Sequence, residues 1–167
     1  RNAVEATTAP AEMGRAVHAW FLDRVAGVDA DLAQQLHDAP GRRPFTISNV
    51  WGKGRARQGM VELDPERDCW ARVTALTDEV ETALEQALPA TGERLELAGA
   101  TFAVRAVATE TEDHPWAGRM SYTDLVERYT LSPGRHPLSV TLSFASPTLF
   151  RSGGRSIGRR RRRASWD

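Results

Sequence analysis

The stretch Cys69-Trp70-Ala71-Arg72-Val73-Thr74-Ala75-Leu76-Thr77-Asp78-Glu79-Val80-Glu81-Thr82-Ala83-Leu84-Glu85-Gln86-Ala87-Leu88 changes character part-way along. Cys69 to Leu76 suits a strand, whereas Thr77 opens a helix: it stands at the N-cap, Asp78 and Glu79 fill the first turn, and Val80, Leu84, Ala87 and Leu88 form one apolar face. Downstream, Leu95 to Leu97 and Thr101 to Ala108 make a further β element that turns at Ala98, Gly99 and Ala100. Upstream, Met60, Val61 and Leu63 form a short strand and Asp64 to Arg67 a turn. Together with Pro44 to Val50 these read as a β-hairpin with a long connection. Before the Pro40-Gly41 break lie two helices. The first bears Val17, Trp20, Phe21, Leu22, Val25 and Val28 at spacings of three and four and ends at Gly27. The second runs from Ala30 to His37, is capped by Asp29, and buries Leu32, Ala33 and Leu36. If residues 1 to 7 end a first strand, the order is β-α-β-β-α-β. That is the α+β, ferredoxin-like arrangement, an antiparallel sheet backed by two helices. A short helix over Tyr122 to Tyr129 and an alternating strand over Pro137 to Phe144 follow.

Composition narrows the class. With 167 residues, 41% apolar and 26% charged, the chain has material for one core. No stretch approaches the roughly 18 apolar residues of a membrane span, so no membrane partner is expected. One cysteine, Cys69, supplies neither an intramolecular disulfide nor a cysteine-rich metal site, and a cytoplasmic location is the expectation. The 22 basic and 22 acidic residues cancel, but unevenly: residues 151–167 hold seven arginines and one acid, leaving 15 basic and 21 acidic residues before them. Of the basic residues only Lys53 is a lysine.

Four histidines can titrate near neutrality. His114 and His136 stand beside prolines in loops, and His18 lies on the first helix beside its apolar stripe. His37 ends a helix and opens a loop containing Arg42 and Arg43. An imidazole with guanidiniums nearby is what phosphodiester cleavage needs: a proton carrier, and fixed positive charge for the phosphorane. The glycine-basic segment from Gly52 to Gly59, with Lys53, Arg55 and Arg57, could track a phosphate backbone, and Trp51 could stack a base. It lacks the Gly-Lys-Ser/Thr ending of a P-loop, and no dinucleotide fingerprint occurs. No histidine pair has metal spacing, so neither metal nor cofactor is expected.

Gly14-Arg15-Ala16-Val17-His18-Ala19-Trp20-Phe21-Leu22, Leu36-His37, Pro44-Phe45-Thr46-Ile47-Ser48 and Phe144-Ala145-Ser146-Pro147-Thr148-Leu149-Phe150-Arg151 together resemble the CRISPR-associated endoribonucleases of the sixth Cas family. The resemblance covers that family's N-terminal half. It implies a ferredoxin-like, RRM-like domain and metal-independent cleavage of precursor CRISPR RNA within its repeats, by 2′-hydroxyl attack leaving a 2′,3′-cyclic phosphate and a 5′-hydroxyl. It implies His37 as general acid or base and Arg43 as the group that steadies the transition state. Where some relatives carry a tyrosine on the first helix this sequence has Leu22, and His18, one turn earlier, is the candidate to replace it.

The expected organisation is a ferredoxin-like RNA-processing domain over residues 1–130, the first strand and turn of an incomplete second such domain over 137–154, and a disordered basic tail over 155–167. The expected partners are CRISPR repeat RNA and, because an unpaired apolar strand recruits others, a second copy or other CRISPR effector subunits. The alternatives are a catalytically inactive or truncated RNA-binding module of the same family, and an unrelated ferredoxin-like regulatory domain holding a small ligand. Convergence of Arg42, Arg43, Lys53 and Arg55 on His37 separates the RNA readings from the last.

Overall fold

A computed structural model of the chain describes residues 7–131, 150–152 and 155–157. The chain divides into two compact units, Arg1–Arg119 and Met120–Asp167. The first contains β1 (Thr7–Pro10), α1 (Gly14–Ala26), α2 (Ala30–Asp38), β2 (Phe45–Ile47), β3 (Met60–Leu63), β4 (Val73–Ala75), α3 (Asp78–Ala87), β5 (Arg94–Leu97) and β6 (Ala100–Ala103).

The three helices lie where period and caps place them. Val17, Phe21 and Val25 recur every four residues on α1 and are buried, and Asp29 caps α2 by accepting a hydrogen bond from the Leu32 N–H at 2.9 Å. Phe21 and Val25 join Leu32, Ala33 and Leu36 of α2, Phe45 of β2, and Val80 and Ala83 of α3 in one apolar cluster. A second cluster, built from Ala9, Met13, Val17, Val50, Leu97 and Ala100, fastens β1 and the β5–β6 hairpin to the start of α1. Arg24 ties α1 to α3: its Nε donates to the Ala87 carbonyl at 2.9 Å, its Nη2 to that of Leu88 at 3.2 Å, and its Nη1 pairs with Glu93. The last carbonyls of α3, which lack helical partners, are thereby satisfied.

The strands depart further from expectation. The first described strand is Thr7–Pro10, which its pairing with Met60–Leu63 makes a strand; residues 1–6 of the expected first strand lie outside the described residues. The expected hairpin is rearranged: β2 pairs with β4, while β3, which falls in the connection between them, turns back to β1. The strand expected over Cys69 to Leu76 is regular only at Val73–Ala75, with an isolated bridge from Trp70 to Trp51 extending it. The β5–β6 turn falls at Ala98 and Gly99, both with positive φ, and β6 ends at Ala103, short of Ala108. Val28 lies beyond the end of α1 and is exposed, so the buried stripe stops at Val25. All pairings among the described residues are antiparallel and form two-stranded ladders.

The second unit contains α4 (Tyr122–Val126), continued by a π-helical turn over Glu127–Leu131, and the hairpin β7 (Phe150–Ser152) and β8 (Arg155–Ile157). The Ser121 hydroxyl caps α4 by accepting from the Asp124 N–H at 3.0 Å. Residues 155–157, expected to begin a disordered tail, form a paired strand. The Pro137 to Phe144 strand lies outside the described residues. Among the described residues no helix is long and apolar enough to cross a membrane.

Candidate active site

Helix α2 carries His37 in its last turn and stops at Asp38, because Ala39 precedes Pro40 and takes an extended conformation. Gly41, at φ +96°, then reverses the chain so that Arg42 and Arg43 lead into β2. This brings Arg43 back over the end of the helix it has just left. Its Nη2 donates to the His37 carbonyl at 3.3 Å, and its Nη1 meets Nε2 of His18 on α1. The first contact caps α2, where a cation also meets the negative end of the helix dipole. The second joins α1 to the loop, so His18, His37 and Arg43 form one cluster.

The two imidazoles have different partners. A guanidinium only donates, so Nε2 of His18 is the acceptor and its ring is neutral in this arrangement. Burial first, then the positive charge of Arg43 and the neighbouring His37, hold the His18 pKa below the usual histidine range. Its ring packs 5.7 Å from that of Phe45, which fixes it against the start of β2. His37 is exposed, and its Nδ1 lies 2.9 Å from Oδ1 of Asp38. Asp38 is in turn held through its other oxygen by Gln34 Nε2 at 2.5 Å. The hydrogen bonds from His37 and then Gln34 keep the Asp38 carboxyl below the ordinary carboxylate range. With Nδ1–H donated to a carboxylate, Nε2 of a neutral His37 carries the lone pair and faces solvent, the arrangement of a general base oriented by an acid.

The other residues singled out in the sequence are placed apart from this cluster. Arg42, Arg55 and Arg57 are exposed, and the structure gives none of them a contact with His18, His37 or Arg43. Lys53 is turned inward and is only 7% exposed: its Nζ donates to the Ala11 carbonyl at 2.7 Å and lies 3.4 Å from Oδ1 of Asn49. Burial lowers its pKa, against the pull of Glu12. Asn49 completes this internal clamp, accepting from the Met13 N–H at 2.7 Å and donating to the Ala11 carbonyl at 3.0 Å. Lys53 therefore braces the entry to α1, and of the four cations expected to converge on His37 it is Arg43 that the structure brings there. Trp51 is half-buried and stacked on Trp70, ring centroids 6.0 Å apart. Among the described residues no group of His, Cys, Asp and Glu is arranged to hold a metal ion.

The family model of the CRISPR Cas6 N-terminal domain matches residues 5–127. The chain belongs to this Cas6 family. The solved Cas6 (TTHB231) product complex is 29% identical to it and superposes with a TM-score of 0.55 over 90% of this chain. The chain spans 54% of the length of that Cas6 protein. Among curated proteins, none matches.

As a Cas6-family chain its α+β architecture is ferredoxin-like, in agreement with the order of elements read from the sequence. Asp38 and Gln34 escaped sequence reasoning. The available signal was their spacing of four on α2, which puts both on the helix face that adjoins His37.

Proposed function

We propose that this chain is the nuclease-bearing N-terminal part of a Cas6-type endoribonuclease that processes precursor CRISPR RNA within its repeats, without a metal. The observation that carries the proposal is the contact of Arg43 with both His18 and the His37 carbonyl. It gathers a fixed cation and two imidazoles at the exposed end of a helix. Nε2 of His37 takes the proton from the ribose 2′-hydroxyl, and the oxygen attacks the adjacent phosphorus. The guanidinium of Arg43 turns from His18 to the phosphate and offsets the negative charge that builds on its oxygens. Release of Nε2 by Arg43 and the charge of the phosphate raise the proton affinity of His18, which takes up a proton from solvent at Nε2. As the P–O5′ bond breaks, the leaving oxygen takes that proton and His18 returns to its neutral form. The products are a 2′,3′-cyclic phosphate and a 5′-hydroxyl. On this reading residues 137–154 open a second ferredoxin-like domain.

The test is cleavage of end-labelled repeat RNA by the chain and by His37→Ala. The variant should lose cleavage while retaining the RNA on a filter, and EDTA should leave the parental rate unchanged. Cleavage by His37→Ala at the parental rate refutes the assignment. A second reading, an RNA-binding module without catalysis, is favoured by Leu22 at the position of the relatives' tyrosine and by the occupied Nε2 of His18. It predicts salt-sensitive retention and no cyclic-phosphate product.

A further inference from the structure

In an antiparallel ladder directly opposed residues share a face, and successive residues alternate between faces. Phe45 and Ile47 of β2, with their partners Ala75 and Val73, face the helices. Thr46, opposed by Thr74, therefore faces the other way, as do Ser48 and Arg72, whose backbones are joined at 2.9 Å. The Trp51–Trp70 bridge continues this open face, and a cavity of about 140 Å³ opens there, lined by Thr46, Ser48, Trp51, Trp70, Arg72 and Trp116 among others.

The groove is pre-shaped. Trp116 is 54% exposed, yet it is not loose: its backbone N–H donates to Nδ1 of His114 at 3.2 Å, and the rings of His114 and Trp116 pack on Trp70 at 5.2 and 5.7 Å. A fixed, exposed indole gives stacking area at little entropic cost. The groove lining includes no acid, and among the described residues neither an ion pair nor a hydrogen bond holds the Arg72 guanidinium. Aromatic faces beside an unpartnered cation are complementary to one class of ligand, a base with its attached phosphate. Strand β2 links this face to the nuclease cluster: Thr46 lies three residues past Arg43, roughly 10 Å along an extended chain.

We propose that the open face of the β2–β4 ladder is a docking site for unpaired RNA, in which one base stacks on Trp116 and Arg72 holds a neighbouring phosphate. The proposal rests on the RNA-processing reading above and adds the part of the RNA that this face takes: a single-stranded segment a few nucleotides from the scissile phosphate. Trp51 and Trp70 stand too close together to admit a base between them, so stacking falls to the exposed outer indole.

The experiment titrates the full chain, Trp116→Ala and Arg72→Ala with a short unstructured oligoadenylate, and with inorganic polyphosphate as a probe without bases. The parent should bind oligoadenylate with quenching of tryptophan fluorescence. Trp116→Ala should weaken that binding by roughly 5- to 150-fold and leave polyphosphate binding as it was. Arg72→Ala should weaken both and reduce the salt slope for oligoadenylate by about 0.7. Equal affinity of Trp116→Ala and parent for oligoadenylate overturns the proposal. So does absence of quenching in the parent, a result that needs no variant to fold. A dimer that forms without RNA and is lost in Trp116→Ala also overturns it, because a second copy then covers the face. Repeat RNA cleavage at saturating substrate is scored in parallel. Cleavage without any effect of Trp116 or Arg72 leaves the nuclease reading standing and the groove refuted, and the converse result does the reverse.

Discussion

His18 shows how one contact sets both stability and readiness for chemistry. Its folded-state pKa lies below the unfolded value of about 6.5, so between those two values the unfolded chain binds more protons than the folded one. Stability therefore rises with pH through that window, is level above about 6.5, and carries the full penalty of charging the ring below the folded pKa. His18→Gln keeps an acceptor for Arg43 and cannot titrate. Urea unfolding of parent and variant at acidic and neutral pH should show a smaller rise in stability with pH for the variant. Identical pH dependence in the two would assign the effect to other groups. The same asymmetry bears on the proposed reaction. The ring that contacts Arg43 is held neutral until a phosphate arrives, whereas His37, oriented by Asp38, keeps an open nitrogen throughout.

At the scale of elements, the loop that follows β2 depends on Gly52. It has φ +87°, and a Cβ there would stand 2.4 Å from the Asp68 carbonyl oxygen, a backbone atom that cannot swing aside. Gly52→Ala should cost at least about 1–3 kcal/mol from conformational strain alone, with the clash added to it. Chemical denaturation measures this, and a midpoint equal to the parent's would show that the loop relaxes freely. The loop also marks the limit of what the sequence discloses. The helices were legible because a 3.6-residue period, the Asp29 cap and the Pro40-Gly41 break are local signals. Thr7–Pro10 has no alternation of its own and becomes a strand through Met60–Leu63, so no window around it could reveal the pairing. Lys53 looks exposed amid glycines, yet its burial is set by a carbonyl 42 residues earlier in the chain. His37 and Arg43 were legible because helix end, turn and strand follow one another within a few residues. The orientation of His37 by Asp38, and the face shared by Trp70, Arg72 and Trp116, emerge only from side-chain direction and long-range contact.

On the scale of the whole molecule, charge and chemistry are separated. Residues 1–150 carry an excess of acids, so phosphate is repelled by most of the body that holds the candidate nuclease cluster. Attraction must come from local cations such as Arg43 and Arg72, or from the arginines after residue 150. Each phosphate neutralised on a single strand adds about 0.7 to the slope of log affinity against log salt. Removing residues 158–167 takes away the run Arg159 to Arg163 and should lower that slope by up to about 3 to 4. The cut position in repeat RNA should not move, because His18, His37 and Arg43 all belong to the Arg1–Arg119 unit. Filter binding across a salt series, run beside a cleavage gel, reads both quantities at once. An unchanged slope would mean that the arginine run does not touch the RNA. A shifted cut would mean that it helps to set the register, and the division between a charge that attracts and a cluster that cleaves would then fail.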